Sequence, residues 1–176
     1  MFTEIPEDIR AILEKDEKIL WIGRPRGAPF ILKGLVVVPL MVFFGALPIL
    51  VVPLYEVITE PPVLLFLAFW EFFPTLTIFG VTVYPVLLLR NILYVITDKH
   101  VIVRKGVIGI DFDILNLELV QQVNIDVGIW DKIYSTGTLV VQAIGVSPIK
   151  FYSIPEPLKV HSILTRAVKE AISAKL

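Results

Sequence analysis

Few of the 176 residues carry side chains that could do chemistry. Glu71 is a lone acid inside an apolar stretch, and an ionisable group at membrane depth is functional by default. Arg24, Arg26 and Lys33 precede that stretch and Arg90, Arg104 and Lys105 follow it. Such a set suits anionic lipid headgroups, at about 1 kcal/mol per base. His100 and His161 fall in different elements with no carboxylate or second histidine at ligand spacing, so no metal site is expected. Asp111 and Asp113 alternate around Phe112 onto a solvated face. Ser135, Thr136 and Thr138 surround Gly137 as turn chemistry. GVIG, Gly106 to Gly109, is too short for a phosphate loop and opens no helix, and no serine stands in order with a histidine and an aspartate. Trp130, between Ile129 and Ile133, reads as a core plug, with a partner contact as the alternative. The expectation is therefore no catalytic residue, no cofactor, no metal and no small-molecule substrate: the chain is not an enzyme.

What positions these residues is a hairpin of two apolar arms. Gly34 to Leu54 has no charge, and Val63 to Leu89 has only Glu71. Each matches the run of about 20 apolar residues that crosses a hydrocarbon core. Between them Tyr55 to Pro62 has two acids, no bases and a proline pair, and reads as a turn. With the bases at the other ends, both termini are expected in the cytoplasm and the acidic loop outside, in a multi-pass protein of the cell membrane. Pro39, Pro48, Pro74 and Pro85 are expected to kink the arms without ending them. Phe72 to Leu89 spans about 27 Å by itself. That places Glu71 at the outer interface, with residues 62–70 along the surface; a helix-pairing contact or an ion relay are the alternatives.

Composition agrees. Mean hydropathy is +0.79, and only 19% of residues are charged, with a formal net charge of −1 that gives nucleic acid nothing to bind. There is no cysteine, so no disulfide framework or thiol nucleophile is available. The N-terminus has no short apolar core behind positive charges, and no cleaved signal peptide is expected.

The flanks read as soluble structure: 1–33 as a cytoplasmic helix and strand, 34–90 as the hairpin, 91–176 as a cytoplasmic domain. Pro6 to Lys15 suits a short helix, Lys18 to Gly23 a strand and Gly23 to Pro29 a turn-rich link. After Arg90 the apolar period falls to two. Strands are expected at Asn91 to Thr97, His100 to Gly106, Val107 to Ile114, Leu117 to Val127, Thr138 to Ala143 and Lys150 to Ile154, with a helical turn at Gly128 to Tyr134. Leu117, Leu119, Val123, Ile125 and Val127 share one face of the fourth, so the sheet has a wet side and is antiparallel. Val160, Ile163, Leu164, Ala167, Val168, Ala171 and Ile172 mark a closing amphipathic helix, with capping-box spacing from Ser153 to Glu156.

YVITDKHVIVRKG, LVQQV, WDKIYSTGTLVV and the closing IPEP resemble the bacterial and archaeal pleckstrin-homology-like (PH-like) domain of small membrane proteins, and EKILWIGRPR resembles the strand before the hairpin in such proteins. His100, where a base is common, and Glu156, in place of aspartate, depart from the pattern. The resemblance implies an α+β membrane protein: a transmembrane hairpin plus a seven-stranded PH-like antiparallel β-barrel or sandwich capped by a C-terminal helix. It also implies binding or assembly at the membrane, with self-association. Phosphoinositide-binding relatives gather bases on one hairpin, whereas Lys99 and Arg104 lie at opposite ends of theirs. The expected function is a membrane-anchored binding or scaffold module, with the lipid bilayer and a homo-oligomer or membrane-protein partner as its contacts. The alternative is a subunit of a membrane transporter or channel.

Overall fold

A computed structural model describes residues 5–51 and 60–173. The acidic loop expected between the arms lies for the most part, at 52–59, outside the described residues. Chain order is α1 (Glu7–Ile12), β1 (Ile19–Gly23), α2 (Gly27–Leu35), α3 (Val38–Val51), α4 (Pro61–Asn91), β2 (Leu93–Thr97), β3 (His100–Lys105), β4 (Asp111–Asn116), β5 (Val120–Asp126), α5 (Ile129–Ile133), β6 (Thr136–Ala143), β7 (Ile149–Pro155) and α6 (Pro157–Ser173).

The strands form two antiparallel sheets, β1-β2-β3-β4 and β5-β6-β7. No pairing joins the sheets among the described residues, so the expected barrel is not closed. Their inner faces and one stripe of α6 enclose a core of Tyr94, Ile96, Val101, Leu115, Leu117, Leu139, Phe151, Val160 and Leu164. Seven strands with a capping helix match the expected α+β arrangement. The first strand comes from before the hairpin: Gly23 pairs with Tyr94 and Ile22 with Val95. Residues ahead of the arms and residues behind them thus share one sheet.

Three local expectations shift. Val107 to Ile110 turn rather than extend, because Gly106 sits at φ +136° and a Cβ there would meet the Gly109 carbonyl oxygen at 2.1 Å. Leu117–Leu119 is a 3-10 turn. Its three-residue period brings Leu117 and Val120 inward together, and Leu119 and Val127 end up exposed. The capping box does not form. Ser153 is buried in β7 and bonds elsewhere, while α6 starts at Pro157, its first amides donating to the Glu156 carbonyl.

The arms are longer than 34–54 and 63–89. The first begins at Gly27, inside the expected link, and breaks at Val36 and Val37, just before Pro39, which has no N–H to give the preceding turn. The second begins at Pro61: the proline pair opens the helix, since N-terminal positions need no amide donor. It then runs unbroken to Asn91, so residues 62–70 do not peel away along a surface. Pro48, Pro74 and Pro85 lie inside helices, as expected. Gly27–Pro48 and Pro61–Asn91 are both long and apolar enough to cross a membrane, and only 6% of the apolar window in each is buried in the molecule. Thr77 and Thr82 return their hydroxyls to the Phe73 and Ile78 carbonyls one turn back along α4.

Candidate functional site

The junction between hairpin and sheets is built around a residue that sequence reasoning did not single out. Asp131, on α5, is 1% exposed, and its carboxylate lies 2.7 Å from Nζ of Lys33 on α2. It also accepts from the hydroxyls of Thr136 (2.8 Å) and Ser153 (3.3 Å) and from the Gly128 amide (3.2 Å). Burial works against the ionised form, but Lys33, the Thr136 hydroxyl and the Gly128 amide outweigh it and hold the carboxyl below its ordinary range. Around this pair Arg26 donates through Nη1 to the Tyr134 carbonyl (2.8 Å) and through its amide to the Ser153 carbonyl (2.8 Å). Phe30 meets Tyr152 edge to face at 6.2 Å. The signal in the sequence was faint: one acid in a turn otherwise flanked by Ile129, Trp130 and Ile133.

The six bases nominated from sequence are mostly committed inside the molecule. Lys33 takes Asp131, and Arg26 caps the end of α5 through Tyr134. Arg104 donates through Nε to Asp8 of α1 (2.6 Å) and through Nη1 to the Asn91 carbonyl (2.9 Å). Lys105 pairs with Asp113. Arg24 and Arg90 are exposed. Three of the six bases, Lys33, Arg104 and Lys105, are thus held in separate ion pairs with Asp131, Asp8 and Asp113. Lys105 does line a cleft of about 250 Å³ with Phe30, Leu88, Lys150 and Tyr152, where the inner ends of the arms meet β7.

Glu71 faces the partner arm. A Cβ on Gly45 would lie 3.0 Å from its carboxylate, so the glycine on α3 makes the space this acid occupies. Beside it, Trp70 stacks on Phe44 at 4.5 Å and donates its indole N–H to the Phe44 carbonyl (3.1 Å). Trp130 is half-buried on α5, and Asp111 is exposed while Asp113 is paired.

His100, expected to lack a carboxylate, has one: its Nδ1 lies 2.9 Å from Glu17, which is 83 positions earlier in the chain. His161 contacts the Val123 carbonyl. Among the described residues, no three potential ligands gather around a metal position. Burial opposes ionisation of Glu17 as well, but the Thr97 hydroxyl, the Glu14 amide and His100 hold its carboxyl below the ordinary value. A depressed carboxylate contributes stability that is complete above its unfolded pKa and is lost as pH falls through the folded one. Stability should therefore decline from about pH 5 downward, since ordinary glutamates titrate near 4.3. Glu17→Gln should flatten that decline in acid-unfolding curves followed by tryptophan fluorescence. An unchanged slope would remove Glu17 as a source.

The bacterial PH domain family matches residues 31–168. No curated protein and no solved structure matches the chain. The match covers well over half of the sequence, taking in most of the hairpin, strands β2 to β7, the Asp131 cluster and most of α6, so this chain belongs to the bacterial PH domain family.

Proposed function

We propose that the protein is a binding or scaffold module, not an enzyme, whose PH-like domain is anchored to the inner face of the cell membrane by the hairpin and which self-associates there. The observation that carries this reading is the place of the hairpin: it is inserted between β1 and β2, two directly paired strands, and pinned by Lys33 to Asp131. An apolar insertion held at both ends leaves the domain little freedom to turn away from the lipid. Weak contacts would then act at high effective concentration, and the cleft at Lys105 and Lys150, lined also by Phe30 and Leu88 where the arms join the domain, is a candidate surface for them.

The spans fit the bilayer. Gly34 faces Val81 across the hairpin, and α4 from Pro61 to Val81 covers about 30 Å, the thickness of a hydrocarbon core. In this frame Glu71 lies near mid-depth rather than at the outer interface. Its position against Gly45 supports a helix-pairing role within the hairpin over a path for ions, which counts against the transporter reading.

Reconstituted into vesicles and floated through alkaline carbonate, the full chain should remain with the lipid, and recovery in the soluble fraction would overturn the anchoring. Donor- and acceptor-labelled copies should transfer energy at a level independent of tenfold lipid dilution. Transfer that falls in proportion to dilution would remove self-association.

A further inference from the structure

We propose that α5 is a membrane-lying foot, with Ile129 and Ile133 seated at the boundary between lipid headgroups and acyl chains beside the first span. The inference rests on the reading that the hairpin crosses the bilayer, and it adds a second, peripheral contact between domain and lipid.

The polarity of α5 is inverted. In a water-facing helical turn the acid points out and the isoleucines point in. On α5 the acid is the buried residue, Asp131 at 1%, whereas Ile129 and Ile133 are 80% and 63% exposed. Being four apart, the two isoleucines lie on one face. A single exposed isoleucine is ordinary, but a polar-in, apolar-out turn needs an apolar neighbour outside the molecule.

The ion pair fixes where that neighbour is. Lys33 is the last charge before the uncharged run from Gly34 to Val51, so its ammonium belongs at headgroup level. Asp131 lies 2.7 Å from it, and α5 therefore shares that depth. Its outward face is carried at the level where interfacial helices bury their apolar side, about 5–10 Å into the headgroup and acyl boundary. Trp130, half-buried between the isoleucines, has the amphipathic ring that such a boundary favours, and exposed Lys132 can remain among the headgroups. The Gly128 amide, bonded to Asp131, holds the turn closed.

The chain has no cysteine, so single cysteines give clean labels. Ile133→Cys, Phe69→Cys on the outward face of α4, and Lys99→Cys at the β2–β3 turn would each carry a bimane fluorophore in the full protein. Each is reconstituted in nanodiscs containing lipids with nitroxides at shallow or deep acyl positions. Phe69 should be quenched by the deep nitroxide. Ile133 should be quenched by the shallow one at least twofold more than Lys99, with a blue-shifted emission. If Phe69 is quenched but Ile133 behaves like Lys99, the foot is wrong and the spanning hairpin stands. If Phe69 is not quenched at either depth, the spanning reading fails and the foot fails with it.

Discussion

Phe151→Ala will lower the unfolding free energy by about 3–5 kcal/mol, the cost of emptying a buried aromatic site. Phe151 is fully buried in β7, at the centre of a stack. Tyr94 of β2 lies 4.5 Å away at 12° between planes, and Trp21 of β1 lies 6.0 Å away at 17°. The ring therefore ties the three-stranded sheet to both strands that flank the hairpin. The Tyr94 hydroxyl accepts from the Tyr152 amide at 3.0 Å, and burial pushes its ionisation well above the ordinary range, so the polar tip of this stack is fixed as well. Truncation leaves a hole between two sheets that, among the described residues, no strand pairing joins. Denaturant titration of the detergent-solubilised protein, followed by near-ultraviolet circular dichroism, should show the loss. Phe151→Leu should recover much of it by refilling volume. A cost below about 1 kcal/mol for the alanine variant would mean that the sheets are joined elsewhere.

Asp131→Ala will cost about 3 kcal/mol, in the range for breaking a buried ion pair. Lys33 is 31% exposed and can turn partly toward water, which keeps the figure at the low end. Loss of the carboxylate also strands the Thr136 and Ser153 hydroxyls, both on buried residues. Asp131→Asn should cost less, because an amide oxygen still accepts from those hydroxyls. Lys33→Met is the informative counterpart: it leaves a buried acid without its cation, so acid pH should narrow its deficit relative to the parent protein. Asp131→Ala and Lys33→Met should each raise amide hydrogen exchange selectively in α5 and in α2, where hairpin and domain meet. Uniform acceleration across both sheets would make the pair a general stabiliser and not a junction.

Much of the hairpin was legible because long apolar helices announce themselves in one dimension. Apolar runs of the required length, one uncharged and one holding only Glu71, gave both arms, and Pro48, Pro74 and Pro85 did not end them. The arm boundaries failed where a local rule had two readings. Pro61 and Pro62 signal a stop to a helix arriving from before and a start to one that follows, and only the helix beyond them decides which. Gly27 to Pro29 looked like part of a link because Gly23 to Pro29 is rich in turn residues, yet Pro29 is tolerated in the first turn of a helix packed against α5 and β7.

The candidate site was less legible, for a physical reason. The six bases could be named as a group from their distance to the arms, but whether a base is free depends on acids that folding brings to it. Asp8 reaches Arg104 across 96 positions, and Asp131 reaches Lys33 from far along the chain. Glu17 reaches His100 in the same way.

By itself the sequence determined the apolar hairpin, the antiparallel strands after it, the closing helix and the PH-like resemblance, since each rests on local periodicity, length or short motifs. Only the tertiary structure decided that β1 joins β2 across the hairpin, that Gly45 makes room for Glu71, and that α5 turns its acid inward and its isoleucines out. Those are contacts between distant segments, and their energies depend on burial and pairing that no single stretch encodes.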